Sequence, residues 1–579
     1  MKRHAAAGRT IRWGRTTTGV AAAALLALTP AVVLSGGGFV SVYGDPPQPE
    51  RAGLSRSASS FSSERWGDPA VDKVAKAGTG KNSAAADPGS LYTIENAIGA
   101  RTVWAQKDSG GRQITGQGVT VALLDSGTAA VPGLNGAGKL THGPDLSVES
   151  NGSPNDQDTF GHGTFMAGII AGRDAATLTD KTVKTLDPAV QLGVAPDARL
   201  LSLKLANSDG SSDVSQIIAA LNWVTEHQTA PDGSKVRIVN LSFGTDSVQP
   251  YQLDPLAAAT ENAWRHGLVV VVSGGNEGQL AGRLTDPAMD PYVLAVGASD
   301  SNESATGWIK PTVASFSSSG NAARHVDLLA PGASLVSLRA PGSFIDLMHP
   351  EGLVSGDASG RLFRGSGTSQ AAAVVSGAAA LLLQAKPSLT PDQVKAALVG
   401  TATPVAADAF YAGAGQLNIA SAVLAVRNTT TVLGTAALSV AVQLLATQTY
   451  PVSTGQGSLD AARGGSGLLD VNGIPISGEI DAQGNPWRPA AWWLAASSLS
   501  SWSGGSWMGV PWTGDGWIYS SGLSSARWSS ARWSSALWSD ADWSSARWSS
   551  ARWSADLWSD ADWSSARWSS ARWSDSTWN

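Results

Sequence analysis

No cysteine occurs in this chain, so disulfide staples, thiolate nucleophiles and cysteine-ligated zinc are excluded together. Charge is sparse and nearly balanced, 40 Lys and Arg against 46 Asp and Glu. There is no basic excess of the kind that marks nucleic acid or an anionic membrane surface as a partner. The histidines form no HExxH pair. His142, His227, His266, His325 and His349 stand in no nucleophile or metal arrangement and read as surface or packing residues. The glycines at Gly413, Gly415 and Gly464 lack the Lys and Ser/Thr that follow in a phosphate loop, so they read as turns. Long apolar runs are few. Thr429 to Thr449 is moderately apolar, but Gln443 and several Thr favour a strand pair or docking helix over a membrane span.

What is present begins with Lys2, Arg3, Arg9, Arg12 and Arg15, with no acid among them, followed by the apolar run Val20 to Leu34. Charge followed by hydrophobe is the order of an export signal, so residues 1–35 are expected to be a signal peptide or N-terminal anchor. The protein is expected to be secreted or held at a bacterial cell surface. Residues 36–90 are rich in Ser, Ala, Gly and Pro. Such a segment buries too little apolar surface to offset its ordering entropy and reads as a linker. No folding pro-domain is recognisable there.

From Leu91 short apolar runs alternate with helical segments, the pattern of a mainly parallel sheet flanked by helices, an α/β fold. Val119 to Leu124, Leu200 to Leu205, Val236 to Leu241, Leu268 to Val272 and Tyr292 to Val296 read as strands buried on both faces. Val214 to His227 and Leu256 to His266 have helical spacing. Gln370 to Ala385 is apolar around its whole circumference and is expected to be an interior helix. Thr390 is placed to cap a further helix over Thr390 to Val399. Residues 91–427 form the expected globular domain, 428–500 a junction and 501–579 a tail.

Three motifs carry groups that acyl transfer requires: a hydroxyl, a neutral imidazole and an acid that fixes the imidazole's tautomer. Asp125 ends a strand in ALLDSG, at the carboxyl edge where open α/β sheets place their sites. His162 lies in GHGTFMAGIIAG, where Gly163, Ala167, Gly168 and Ala171 permit close helix packing. Ser369 lies in GSGTSQAAA at the start of the interior helix, beside unpaired N–H groups and the positive dipole end. Asn276, in VVVVSGGNEG, offers a side-chain donor to an oxyanion.

In these motifs and in their order, Asp then His then Ser, the sequence resembles the subtilisin-like serine proteases from about Leu91 to Val426. LGVAPDARLLSLKL, NLSFG, LLAPG and YAGAGQLNIASAV add to the likeness. The resemblance implies a subtilisin-like three-layer fold and a serine endopeptidase that hydrolyses proteins through an acyl-enzyme. It implies Asp125, His162 and Ser369 as the triad, with Asn276 and the Ser369 amide as the oxyanion hole. It further implies that Leu241, Ser242, Phe243 and Gly244 form an edge for extended substrate, and that Ser273, Gly274 and Gly275 wall the primary pocket. The two glycines of that wall suggest room for a bulky apolar side chain. No cofactor is required by this chemistry. The family often carries calcium, but no ligand set can be assigned; Asp145, Asp156 and Asp158 could contact an ion or a substrate, although polar loop acids are usually only solvated. The sequence departs from the family pattern at Phe165, where a second histidine is usual, and at Ala373 and Val374, where proline and histidine commonly follow the nucleophile.

From Trp502 to Trp578 tryptophan recurs every five residues, with one slip between Trp517 and Trp528. Ala526 to Ser545 is nearly repeated at Ala546 to Ser565, a larger period of four five-residue units. A step of five matches neither helix nor strand and is expected to scatter indoles over several faces of a simple hairpin. It suits a quadrilateral solenoid with Ala531 and Ala541 inside, the alternative being a low-complexity tail. Such indoles could stack on a cell-surface glycan or on another copy of the chain. The rival functions are an inactive scaffold that binds surfaces through its tail, and an esterase using the same triad.

Overall fold

The computed structural model describes residues 87–147, 157–230, 233–300, 311–427, 446–465 and 476–512, with the backbone of three short strands beyond them. The expected signal, nearly all of the linker, Asp156, most of the 429–449 run, Ala531 and Ala541 lie outside the described residues. The described chain opens with helix α1 (Leu91–Ala97), capped by the Ser90 side chain, and Asp87 is paired with Arg364.

The central sheet is built from β1 (Thr120–Asp125), β2 (Leu140–Asp145), β3 (Arg199–Lys204), β4 (Val236–Leu241), β5 (Val269–Ser273), β6 (Leu294–Asp300), β7 (Thr312–Val313) and β8 (Leu328–Pro331). Their order is β2-β3-β1-β4-β5-β6-β7, with β8 also on β6. All pairings are parallel except the antiparallel β6 with β7. The expected strands thus agree with observed ones to within two residues at their starts, because runs such as Val269 to Val272 are wholly buried. Asp125 pairs with Lys204 of β3, and Leu124 with Leu241 of β4. The carboxyl ends of these three strands therefore share one rim, and β1, first in the chain, sits between its two later neighbours. That reversal of strand order opens a crevice at the rim.

Helices α2 (His162–Ala171), α3 (Val214–Glu226), α4 (Pro255–Arg265), α5 (Thr368–Ala385) and α6 (Pro391–Gly400) cover the sheet. α5 is long and apolar enough to cross a membrane, but 94% of it is buried inside the protein. It is the interior helix that its composition indicates. Thr390 caps α6 by accepting from Gln393 N, while Gln393 Oε1 accepts from Thr390 N, a capping box.

Residues 446–465 and 476–512 pack on α3 and α4. Helices α7 (Leu459–Arg463) and α8 (Pro489–Ser497) touch them, and Trp492, Trp507 and Trp512 are almost fully buried. Asn222 of α3, its amide oxygen turned toward them, accepts from the indoles of Trp492 (2.9 Å) and Trp507 (3.3 Å). The first tryptophans of the five-residue series correct the expectation of scatter. They lie in a meander, β11 (Trp502–Ser503), β12 (Ser506–Trp507) and β13 (Val510–Pro511), whose strands are only two residues long. Trp502 stands directly opposite Trp507, and opposed residues share a face. Trp502 donates to Ala219 O at 2.9 Å and Trp512 to Leu146 O at 3.4 Å. These indoles are part of the domain's own packing.

Farther along, β9 (Leu335–Leu338) and β10 (Leu362–Ser366) form a hairpin whose outer edge pairs antiparallel with β14 (Arg532–Trp533). Strands β15 (Arg547–Ser549) and β16 (Arg567–Ser569) pair in parallel, each residue with the one twenty positions later.

The junction also carries a pH-sensitive contact. Glu261 of α4 accepts from Ser453 N (2.8 Å) and Arg265 (2.6 Å), and burial pushes its carboxyl up to about 7. Because the folded pKa exceeds the unfolded one, the native state holds more protons between about 4.5 and 7, and stability falls as pH rises through that window. In an inactive background, Glu261→Gln is expected to remove this slope: calorimetry should show parent Tm declining relative to the variant from pH 4.5 to 7, with a constant gap outside that range.

Candidate active site

Asp125 sits at the rim because β1 ends there. Its Oδ1 accepts from Ser126 N at 2.8 Å and lies 2.8 Å from His162 Nδ1, with Oδ2 at 3.0 Å. Both side chains are buried. A carboxylate only accepts, so Nδ1 carries the ring proton and Nε2 is the basic nitrogen. His162 is the first residue of α2, and the turn before it is clamped by a group that sequence reasoning took for a solvated acid. Asp158 is buried. Its carboxylate accepts from Gly161 N (2.6 Å), Thr164 N (2.7 Å) and Ser126 Oγ (2.7 Å). Burial raises its pKa and these donors oppose the rise. Gly163 is required by close approach: a Cβ there would overlap Gly127 O.

Ser369 is the second residue of α5. Asn276 meets the same helix end, its Oδ1 accepting from Thr368 N (2.8 Å) and Thr368 Oγ1 (3.0 Å). A polar chain ties β4 to this helix: Ser376 Oγ donates to Asn240 (2.8 Å), Asn240 Nδ2 to Ser242 Oγ (3.2 Å), and Ser242 Oγ to Ser369 O (3.4 Å). Leu241 ends β4, and Ser242, Phe243 and Gly244 continue from it along the rim. Ser273 ends β5, leading into Gly274, Gly275 and Asn276.

The model of the subtilase family matches residues 116–423, a stretch containing every group just described. The chain belongs to the subtilase family. It is 35% identical over 319 residues to serine protease AprX of Bacillus subtilis (strain 168), covering 54% of this chain and 68% of that protein. It is 32% identical to subtilisin Savinase of Lederbergia lenta over 311 residues, 54% of this chain and 93% of the other. Subtilisin DY of Bacillus licheniformis is 32% identical over 314 residues, 53% and 91% of the two chains. The protein is a serine-type endopeptidase with the mostly parallel α/β fold of subtilisins.

Within this subtilase the departures from the family pattern fall in the core: Phe165, Ala373 and Val374 are all buried. A Cβ on Gly244 would lie 2.6 Å from Thr285 Oγ1, on Gly274 2.8 Å from Val326 Cγ1, and on Gly275 2.5 Å from Glu277 Oε2. Each of these glycines is thus required by close approach. Thr285 and Glu277 were missed because Thr285 reaches the site from a separate loop and no sequence signal links it to Gly244. Asp158 had a signal in hindsight, an acid four residues before the helical His162. Among the described residues no group of three or more His, Asp or Glu is arranged to hold a metal ion.

Proposed function

We propose that Ser369 cleaves peptide bonds through an acyl-enzyme, with His162 as base and Asp125 as the group that orients it. Ser369 Oγ attacks the carbonyl carbon and its proton passes to His162 Nε2. The resulting oxyanion receives the Ser369 N–H and Asn276 Nδ2, the end of that amide not engaged by Thr368. His162 then protonates the leaving nitrogen as the C–N bond breaks, and water repeats the sequence to release the acid. The observation that carries this reading is the 2.8 Å contact between Asp125 Oδ1 and His162 Nδ1 at the rim where the interior helix presents Ser369.

A fluorophosphonate probe tests it: labelling should map to Ser369, and an unlabelled but folded protein would favour the inactive scaffold. Asn276→Leu is expected to lower kcat about 10²- to 10³-fold with little change in KM, the cost established for such a donor in a member of this family. Initial rates on a chromogenic peptide check it.

The edge Leu241 to Gly244 is proposed to pair with extended substrate, with Ser273 to Gly275 walling the primary pocket. Backbone pairing reads extended chain and not sequence, so broad specificity follows. The basic then apolar N-terminus supports export, and secreted protein should lack its first residues by mass spectrometry. The twenty-residue offset of β15 and β16 supports one solenoid coil per larger repeat. With Trp502, Trp507 and Trp512 buried, stacking on a glycan or a second copy is proposed for the tryptophans from Trp517 onward.

A further inference from the structure

The extension beyond the family's matched region returns to the substrate crevice. Ser242 lies beside the nucleophile, so the edge leaves it through Phe243 and Gly244, past the pocket wall. A substrate's acyl side follows that path. In a paired strand every second residue offers its main-chain groups to the neighbour, which sets the first acyl-side residue against Ser242 and the third against Gly244.

By the same alternation Thr245 faces the other neighbour, and the next position on the substrate side is Asp246. Thr245 N donates to Asp286 O (3.0 Å) and Asp286 N to Thr245 O (2.9 Å), so both main-chain groups of Thr245 are used within the protein. Its Oγ1 donates to Ala462 O of α7 at 2.6 Å. Immediately beyond, Gly464 lies against the main chain of Asp246 with no room for a Cβ. On the opposite bank Arg463 Nε donates to Asp213 Oδ2 at 2.7 Å, the residue that caps α3. Helix α7 thus spans from one bank to the other, its Leu459 and Ala462 wholly buried.

We propose that α7 is a built-in stop that closes the acyl-side end of the cleft, so that recognition ends at the third residue before the scissile bond. The proposal rests on the reading of Leu241 to Gly244 as the substrate edge. It makes a segment absent from the matched family region a determinant of specificity. Peptides with a longer acyl side remain substrates only if they bend away from the edge before the fifth residue, gaining nothing from pairing.

The test uses the full chain and aryl-amide peptides carrying one to six residues on the acyl side. Expected is a kcat/KM that climbs through three residues and then stays within about twofold up to six. A rise of about fivefold or more at the fourth or fifth residue overturns the stop. Arg463→Met, which replaces the charged partner with an apolar side chain, should loosen α7 and let residues beyond the third lower KM about fivefold relative to parent, with kcat on the three-residue peptide unchanged. A folded variant with the parental length profile also overturns it. Should the variant not fold, the length series on the parent decides alone. If every peptide and casein stay intact, the edge reading itself fails and takes the proposal with it.

Discussion

Ser369→Ala is expected to lower kcat on the order of 10⁶-fold, a magnitude taken from removal of the nucleophile in a member of this family. The replacement deletes one oxygen from the first turn of α5, in a position that is 2% exposed. Packing is nearly unchanged, so Tm should stay within a few degrees. What is lost is the covalent route. The amide of residue 369 and Asn276 still polarise the carbonyl, and about 10³- to 10⁴-fold acceleration over water should persist from them and from substrate binding. Single-turnover assays with a sensitive peptide check both figures. Retention of more than a hundredth of parental kcat would show that another group attacks.

Asp125→Asn is expected to cost about 10⁴-fold in kcat with the fold intact. Ser126 N donates to Asp125 Oδ1 at 2.8 Å, so an amide at this position keeps its oxygen on that side. The NH2 then faces His162 Nδ1, 3.0 Å from the present Oδ2. A donor there demands that Nδ1 accept, which moves the ring proton to Nε2 and leaves no base toward Ser369. KM should change little, because neither side chain touches the substrate edge. The split between kcat and KM, measured together with fluorophosphonate labelling rate, distinguishes this tautomer effect from a general loosening of the site.

The strands ending in Asp125 and Leu241, the interior helix behind Ser369 and the cap at Thr390 were legible because each depends on local pattern: unbroken apolar runs, all-round apolarity, a polar residue three positions before a glutamine. Asp158 was misread for the converse reason. Whether an acid is solvated or clamps a helix start depends on what folds over it, and Gly161, Thr164 and Ser126 come together only in the folded rim. The close approach of Thr285, Val326 and Glu277 to the glycines of the rim was invisible for the same reason, since these contacts exist only in the folded chain.

By itself, the sequence determined the class of chemistry, because acid, imidazole and hydroxyl each sit where a strand ends or a helix begins, and those ends are set by short-range hydrophobic periodicity. It also determined that no thiol takes part. Tertiary structure alone decided where the cleft ends. The tryptophan steps, Arg463 and Ala462 lie some two hundred residues or more from the surfaces that they cover. No periodicity within a segment encodes such a partner, since burial and hydrogen bonding at that separation arise only when distant faces meet.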